Sequence, residues 1–361
     1  MLLWKFPANG EVIRLAIGRD GVVYASTWTG TEIYALASDG TLVRKFAPPE
    51  PAAGELAANP SNYLISQLIA ATDRAIYTQS NNGDVCAFRS DGALKWKLNG
   101  IGRVLAAGID GTLYAGCGPG QNGVKLCAFA PDGTLKWKFG QFEFTDLAIG
   151  SDTMIYASSG FGVYAFAPSG AVEWSFGVSR PSISYSWLAA GLHSTIYAVT
   201  ANDIYVFARD GAVMSKTHSE TPLGVLNDRH LAERDGIIYL GSYYVREVRD
   251  PATGARRFVP PRPGEPRYRV VAIDSHTGSL VWSFDRLRGK VFALVVGRDG
   301  TIDVGSYDGH VYGLDAKTGA LKWRFWTGGA WGEMPVYALA VGKGGTIYLG
   351  TGSFVEAIRP R

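Results

Sequence analysis

The sequence predicts an all-β fold: an eight-bladed β-propeller of four-stranded antiparallel blades. Three observations carry that reading. One phrase, a tight turn followed by alternating apolar and polar residues, recurs along the whole chain. It recurs about every 40 residues with room for four short strands per repeat, the signature of propeller blades. Glycine is abundant (46 of 361 residues) and charged residues are few (19%), which suits short strands joined by tight turns and argues against helices and disorder.

The unit is clearest in Pro131-Asp132-Gly133-Thr134-Leu135-Lys136-Trp137-Lys138-Phe139. Leu135, Trp137 and Phe139 alternate with Thr134, Lys136 and Lys138, so one face of the strand is apolar and the other wet. The preceding Asp-Gly makes the turn, because glycine takes positive φ without steric cost.

Each repeat has two halves, and each half reads as two strands across a tight turn. The first half, Leu-Ala-x-Gly-x-Asp-Gly-x-(Ile/Val/Leu)-Tyr-x-(Gly/Ser), starts at Leu15, Leu68, Leu105, Leu147, Leu188, Leu231, Leu294 and Leu339. The second, Val-Tyr-Ala-Phe-x-x-Asp-Gly-x-Leu-x-Trp-x-Phe, lies near Ile33, Val85, Leu126, Val163, Ile204, Val271, Val311 and Val355. Its tryptophan becomes Arg44 in the first copy and Ser215 in the fifth, and the eighth copy stops before reaching one. Leu2-Trp4-Phe6 has the form of a fourth strand with no three strands ahead of it. The N-terminal strand is therefore expected to complete the last blade and close the ring, giving one propeller domain over residues 1–361.

The net charge of +3 is too small to imply nucleic acid or an anionic membrane as partner. No apolar run approaches a membrane span, and the run from Met1 to Pro7 is too short for a signal-peptide core. The expectation is a monomer, cytoplasmic if this is the full chain and periplasmic or secreted if a leader was removed. Cys86 and Cys127 hold the same place in successive repeats, too far apart for a disulfide. Cys117 is left as an odd thiol, so all three are expected as small buried residues.

Ala272-Ile273-Asp274-Ser275-His276-Thr277-Gly278-Ser279-Leu280-Val281-Trp282 matches the Ala-x-Asp-x-x-Thr-Gly-x-x-x-Trp docking phrase of the pyrroloquinoline-quinone (PQQ) repeat family, and Gly313 to Trp323 repeats it with Gly for Ala. The chain resembles this family over essentially its whole length. The resemblance implies that each indole wedges between blades against the small residue and turn of its neighbour. The family includes quinoprotein dehydrogenases and cofactor-free scaffolds, such as the lipoprotein that assists outer-membrane β-barrel assembly. In the dehydrogenases an adjacent Cys-Cys pair and a calcium-bound carboxylate help hold the quinone. No two cysteines are adjacent here, so the chain resembles the cofactor-free members more, and neither PQQ nor calcium is expected.

Loop lengths separate the two faces of the disc. With strands lettered A to D in each blade, the A–B and C–D turns stay short, while the D–A and B–C connections carry the insertions. These are residues 47–67, 177–187, 217–230, 242–269 and 326–337. Loops on a rigid scaffold are where function usually sits. The insertion at 242–269 holds seven arginines against three carboxylates, a net +4. It reads as an extended hairpin, either a solvated flap or a surface for an acidic partner.

Of the catalytic and nucleotide motifs, Gly118-Pro119-Gly120-Gln121-Asn122-Gly123 leads into a strand rather than a helix, so it lacks a helix N-terminus for a pyrophosphate. His218, His230 and His310 fall on long-loop connections. They could meet near the axis as a metal or acid–base cluster, or stand as solvated loop residues. Six tryptophans (4, 96, 137, 174, 282, 323) occupy the docking position. The other four, Trp28, Trp187, Trp326 and Trp331, fall on or beside long-loop connections, and ring closure would make the first and last blades neighbours. With Tyr185, Tyr307, Asn81 and Glu333 they form the candidate ligand site, of a mixture suited to a carbohydrate or a peptide. The expected function is a non-catalytic ligand- or protein-binding scaffold using the long-loop face. The alternative is an enzyme with its site in the axial pocket, either a PQQ-dependent oxidoreductase or a metal-assisted hydrolase or lyase.

Overall fold

A computed structural model describes residues 1–50, 60–71, 74–117, 125–140, 144–177, 187–191, 195–200, 203–218, 231–243, 246–249, 256–259, 262, 267–277, 279–297, 299–328 and 334–360, with the backbone alone for strand residues 102–105, 125, 187, 218, 231, 242–243, 246–249 and 256–259. Eight four-stranded antiparallel sheets form the blades. Blade 1 runs Val12–Ile17, Val23–Thr27, Ile33–Leu36, Leu42–Phe46, and the later blades repeat this order of strands A to D. The A strands touch one another in sequence around the axis. The last of them, Ala338–Val341, meets Val12–Ile17 and closes the ring. The fourth strand of blade 8 is Leu2–Pro7, antiparallel to Phe354–Ile358, with Trp4 opposite Ala357 and Lys5 opposite Glu356. Among the described residues no helix is long and apolar enough to cross a membrane.

Alternation sets the core. Strands B and C are buried on both faces, so they read as nearly unbroken apolar runs, whereas each outer D strand is wet on one side. Apolar clusters lie between blades. Blade 3 packs on blade 4 through Tyr114, Leu126, Ala128, Phe144, Ile155 and Phe166, with Trp137 against their rim. The D-strand indole reaches the C–D turn of the next blade. Trp96 Nε1 donates to Pro131 O (3.0 Å), Trp137 to Pro168 O (2.9 Å) and Trp174 to Arg209 O (2.7 Å). Trp282 donates to Ala316 O and Trp4 to Ser38 O, both at 2.9 Å. The turn glycine is needed twice over: Gly133 has φ +89°, and a Cβ there would lie 2.9 Å from the Trp96 ring.

The exceptions keep part of this device. Ser215 Oγ donates to Ser275 O at 2.8 Å, the carbonyl equivalent to Ala316 O one blade on. The Arg44 stem lies where an indole would, against the position of Gly92. In blade 6, strands Ile237–Tyr243 and Tyr268–Asp274 pair out to Tyr243 opposite Tyr268, and beyond them Arg246–Arg249 pairs with Arg256–Val259 as a separate two-stranded ribbon.

One expectation is corrected. Cys117 is not an odd thiol but is joined to Cys127, with Cα atoms 5.8 Å apart. The two lie on the paired B and C strands of blade 3, where Cys117 faces Lys125 and Cys127 faces Ala115, making them diagonal neighbours on the sheet. Cys86 stays a free, buried thiol, its pKa pushed up to about 11 by burial.

Candidate functional site: the long-loop mouth of the channel

The A strands begin at the long-loop face, and their first residues wall the mouth of the central channel. In blades 1, 2 and 7 the A–B pairing slips by a residue at this end, between Val12 and Arg14, Ile65 and Gln67, and Val291 and Ala293. Such bulges re-aim side chains next to sites. Here they border a cavity of about 800 Å³ between blades 1, 2, 7 and 8, whose polar and aromatic lining includes Glu11, Arg14, Trp28, Asn81, Lys290 and Tyr337. Its volume is in the range of small-molecule sites.

A band of linked residues crosses this mouth. Trp28 N donates to Glu11 O at 2.7 Å, which ties the two backbones together, and both residues line the cavity. Tyr337 Oη donates to Glu11 Oε1 at 3.1 Å, and the Tyr337 ring packs on Phe292 at 5.2 Å. Phe292 packs in turn on Tyr307 at 5.7 Å, and Lys290 Nζ stands 5.1 Å from the Phe292 centroid. The two ends of the band are open to solvent: Trp28 is 55% exposed and Tyr307 53%. Burial, then the neighbouring Glu11 carboxylate, push the Tyr337 phenol up to about 12, so it remains a donor across the neutral range.

Of the residues singled out in the sequence, Trp28 and Asn81 line the cavity, and Tyr307 ends the aromatic band at its rim. Asn81 Nδ2 donates to Ser61 O at 2.9 Å. Trp326 is 54% exposed on an outer strand, its ring folded over Gly328, and is not part of the cavity wall. Trp187 lies on the first strand of blade 5, of which only the backbone is described there. Tyr185, Trp331 and Glu333 lie outside the described residues, as does His230, and of His218 only the backbone is described. His310 is committed locally: its Nδ1 is 3.3 Å from Asp308 Oδ1, and buried Asp308 also accepts from Tyr312 Oη (2.8 Å) and Arg288 N (3.0 Å). Among the described residues no group of three or more His, Cys, Asp or Glu side chains is placed to hold a metal.

The adjacent cysteines that the resemblance implies for a quinone site are not present at this mouth. The disulfide here joins residues ten apart within blade 3, whereas the cavity is walled by blades 1, 2, 7 and 8.

Glu11, Arg14, Lys290, Phe292 and Tyr337 were not singled out in the sequence. A signal was present: two positions before the repeat's leucine, a phenyl or phenol ring stands only in blades 7 and 8, as Phe292 and Tyr337.

Comparison with known proteins agrees on architecture. The computationally designed Ika8 protein superposes with a TM-score of 0.72 at 16% identity, covering 99% of each chain. BamB from Moraxella catarrhalis gives 0.67 at 14%, covering 100% of this chain and 98% of that one. A europium-containing methanol dehydrogenase gives 0.71 at 14%, covering 98% of this chain and 85% of that one. At these identities the likeness is one of fold. No curated protein matches the sequence. The family model PQQ_2, described as outer membrane protein assembly factor BamB, matches residues 161–361, and the chain belongs to that family.

Proposed function

We propose that this protein is a binding scaffold that holds its ligand at the long-loop mouth, in the cavity between blades 1, 2, 7 and 8. The observation that carries this reading is the band from Trp28 through Glu11, Tyr337 and Phe292 to Tyr307, which leaves an indole and a phenol exposed at the rim. Exposed rings beside a concave wall that mixes apolar strand residues with a few polar groups are costly to leave in water and well suited to a partner. Membership of a family described as an outer membrane protein assembly factor supplies a precedent for a propeller that acts as a component of an assembly. The Cys117–Cys127 disulfide suits an oxidising compartment.

A thermal-shift screen with oligosaccharides, peptides, nucleotides and PQQ plus calcium tests the reading. A ligand held at the mouth raises the melting temperature by mass action. That rise should vanish in Trp28→Ala and survive in Phe161→Ala, whose exposed ring lies on blade 4. Stabilisation by ligands that is indifferent to Trp28 would remove the mouth from the argument. The enzyme reading would gain instead if PQQ and calcium stayed with the protein through desalting and coloured it.

A further inference from the structure

We infer that the ligand taken at the mouth is a neutral oligosaccharide, an inference that rests on the proposed binding role of the cavity. The first reason is what the mouth withholds. Beside its exposed rings, four described N–H groups are already bonded to the chain: Trp28 N to Glu11 O (2.7 Å), Asn81 N to Leu64 O (3.0 Å), Tyr307 N to Lys290 O (2.8 Å) and Tyr337 N to Gly350 O (2.9 Å). An extended peptide is recognised chiefly by backbone pairing along a strand or loop, and at these four positions the N–H is already taken. At these positions recognition falls to side chains.

The second reason is the kind of side chain. Trp28 and Tyr307 present rings at the two ends of the band, more than half exposed, while Lys290 and the flanking tyrosines cover Phe292 between them. A pyranose has a C–H-rich face that lies flat on such a ring and equatorial hydroxyls that pair with planar polar groups. The Glu11 carboxylate and the Asn81 amide supply those groups within the same cavity.

The third reason is charge. The lining brings both signs together, Glu11 with Arg14 and Lys290. Arg14 is turned into the wall, its Nε donating to Ser66 O (2.8 Å) and its Nη1 to Ile13 O (2.9 Å). A phosphate or polyanion would need cations aimed at the cavity, whereas a neutral polyhydroxyl ligand needs none.

The test is titration of the protein with short neutral gluco-, manno-, galacto- and N-acetylglucosamine oligosaccharides, read by calorimetry and by tryptophan emission. At least one series should bind and shift the emission. Trp28→Ala and Tyr307→Ala should each weaken that binding about tenfold or more, with melting temperatures within a few degrees of wild type, while Trp326→Ala should bind as wild type does. Glu11→Gln should keep most of the affinity, since the amide preserves the planar hydrogen-bonding geometry. Sugar binding unaffected by both aromatic variants would overturn the inference. So would failure of every sugar while an immobilised peptide panel binds in a Trp28-dependent way, but that result would leave the scaffold reading standing. Failure of both sugars and peptides to engage Trp28 would remove both.

Discussion

Two neighbouring interfaces of the ring, blade 6 on blade 7 and blade 7 on blade 8, differ at two of three equivalent residues and one missing turn. In the first, Tyr239 and Trp282 pack at 5.8 Å, and both donate to Ala316 O, at 3.2 and 2.9 Å. Ala272 sits opposite Trp282 across the sheet. In the second, the corresponding residues are Asp303, Gly313 and Trp323. Blade 8 has no C–D turn for Trp323 to reach, because its D strand, Leu2–Pro7, does not follow its C strand, Phe354–Ile358, in sequence; there Met1 N donates to Arg359 O (2.7 Å) and Arg359 N to Met1 O (3.0 Å). Trp323 lies over its own Gly313, where no Cβ would fit. Closing the ring with Leu2–Pro7 leaves the seam without a docking turn, and two of the three residues that serve such a turn have changed there, while the tryptophan is kept.

The largest effect should come from opening the closure. Removing residues 1–6 uncovers the edge of Phe354–Ile358 and takes Trp4 from Ser38 O. It also strips Lys5 from Glu356, which is 1% exposed and held by a 2.9 Å ion pair, with the ammonium 3.8 Å from the Phe354 ring. The melting temperature should fall by well over ten degrees, or the product should aggregate. Lys5→Ala alone leaves the carboxylate buried without its cation, a change of about 3–5 kcal/mol. An unchanged midpoint for the truncation would mean that closure does not depend on this strand.

Asp303 gives the next effect, with a sign of its own. It is 3% exposed, its Oδ1 has no hydrogen-bond partner, and burial together with Asp299 pushes its pKa to about 7. The folded protein therefore holds a proton there that the unfolded chain releases near pH 4. Stability from this group is fully present below about pH 4, declines as pH rises toward 7, and is lost above that, by at most about 4 kcal/mol. The turn aspartates such as Asp132 and Asp315 act oppositely: the hydrogen bonds from Thr134 and Thr318 lower their pKa, so their contribution disappears in acid. Asp303→Asn should flatten the decline between pH 4 and 7 and raise the midpoint at pH 8. A pH profile identical to wild type would show that Asp303 is solvated or paired in solution. Asp303→Tyr with Gly313→Ala asks whether the blade-6 set can work without a turn to dock on; if the comparison is right, it gains nothing over Asp303→Asn at pH 8.

The indoles themselves come third. Trp137 packs at 5.9 Å on Tyr114 and 6.2 Å on Phe166 and holds Pro168 O. Being half-buried, it should lose about 2–4 kcal/mol on change to Ala. Trp323 has no such partner turn, and Trp323→Ala should cost clearly less, about 1–2 kcal/mol. Guanidinium midpoints of the two variants compare them directly, and equal losses would mean that the missing turn does not matter.

The fold was legible because the chain repeats itself: each blade could be checked against seven others, and Trp4 announced the closure by being a fourth strand without a first. The site was less so, because single-copy residues from distant segments meet only when the ring closes. Glu11 and Tyr337 touch across 326 positions of sequence. Trp28 stood out as an indole outside the docking set. Phe292 looked like an ordinary strand residue and Tyr337 like the end of a loop until their position before the repeat's leucine was compared between blades. The disulfide was missed for a related reason. Comparing equivalent positions in neighbouring repeats paired Cys86 with Cys127, while the real partners lie diagonally on adjacent strands of one blade.

The smallest effect belongs to Ser215, and it separates the two parts of the docking device. At the interface of blades 5 and 6 the indole is gone, yet Ser215 Oγ still donates to Ser275 O at 2.8 Å. If the bond to the turn carbonyl matters apart from the indole's bulk, Ser215→Ala should cost about 0.5–1.5 kcal/mol, the net value of one hydrogen bond. Ser215→Thr keeps the hydroxyl and should recover most of that loss. If Ala and Thr are both neutral in a urea titration, the carbonyl is satisfied by water in the variant. The five indoles that reach such carbonyls would then hold their blades through packing alone, and the contrast between Trp137 and Trp323 would reduce to how much ring area each one buries.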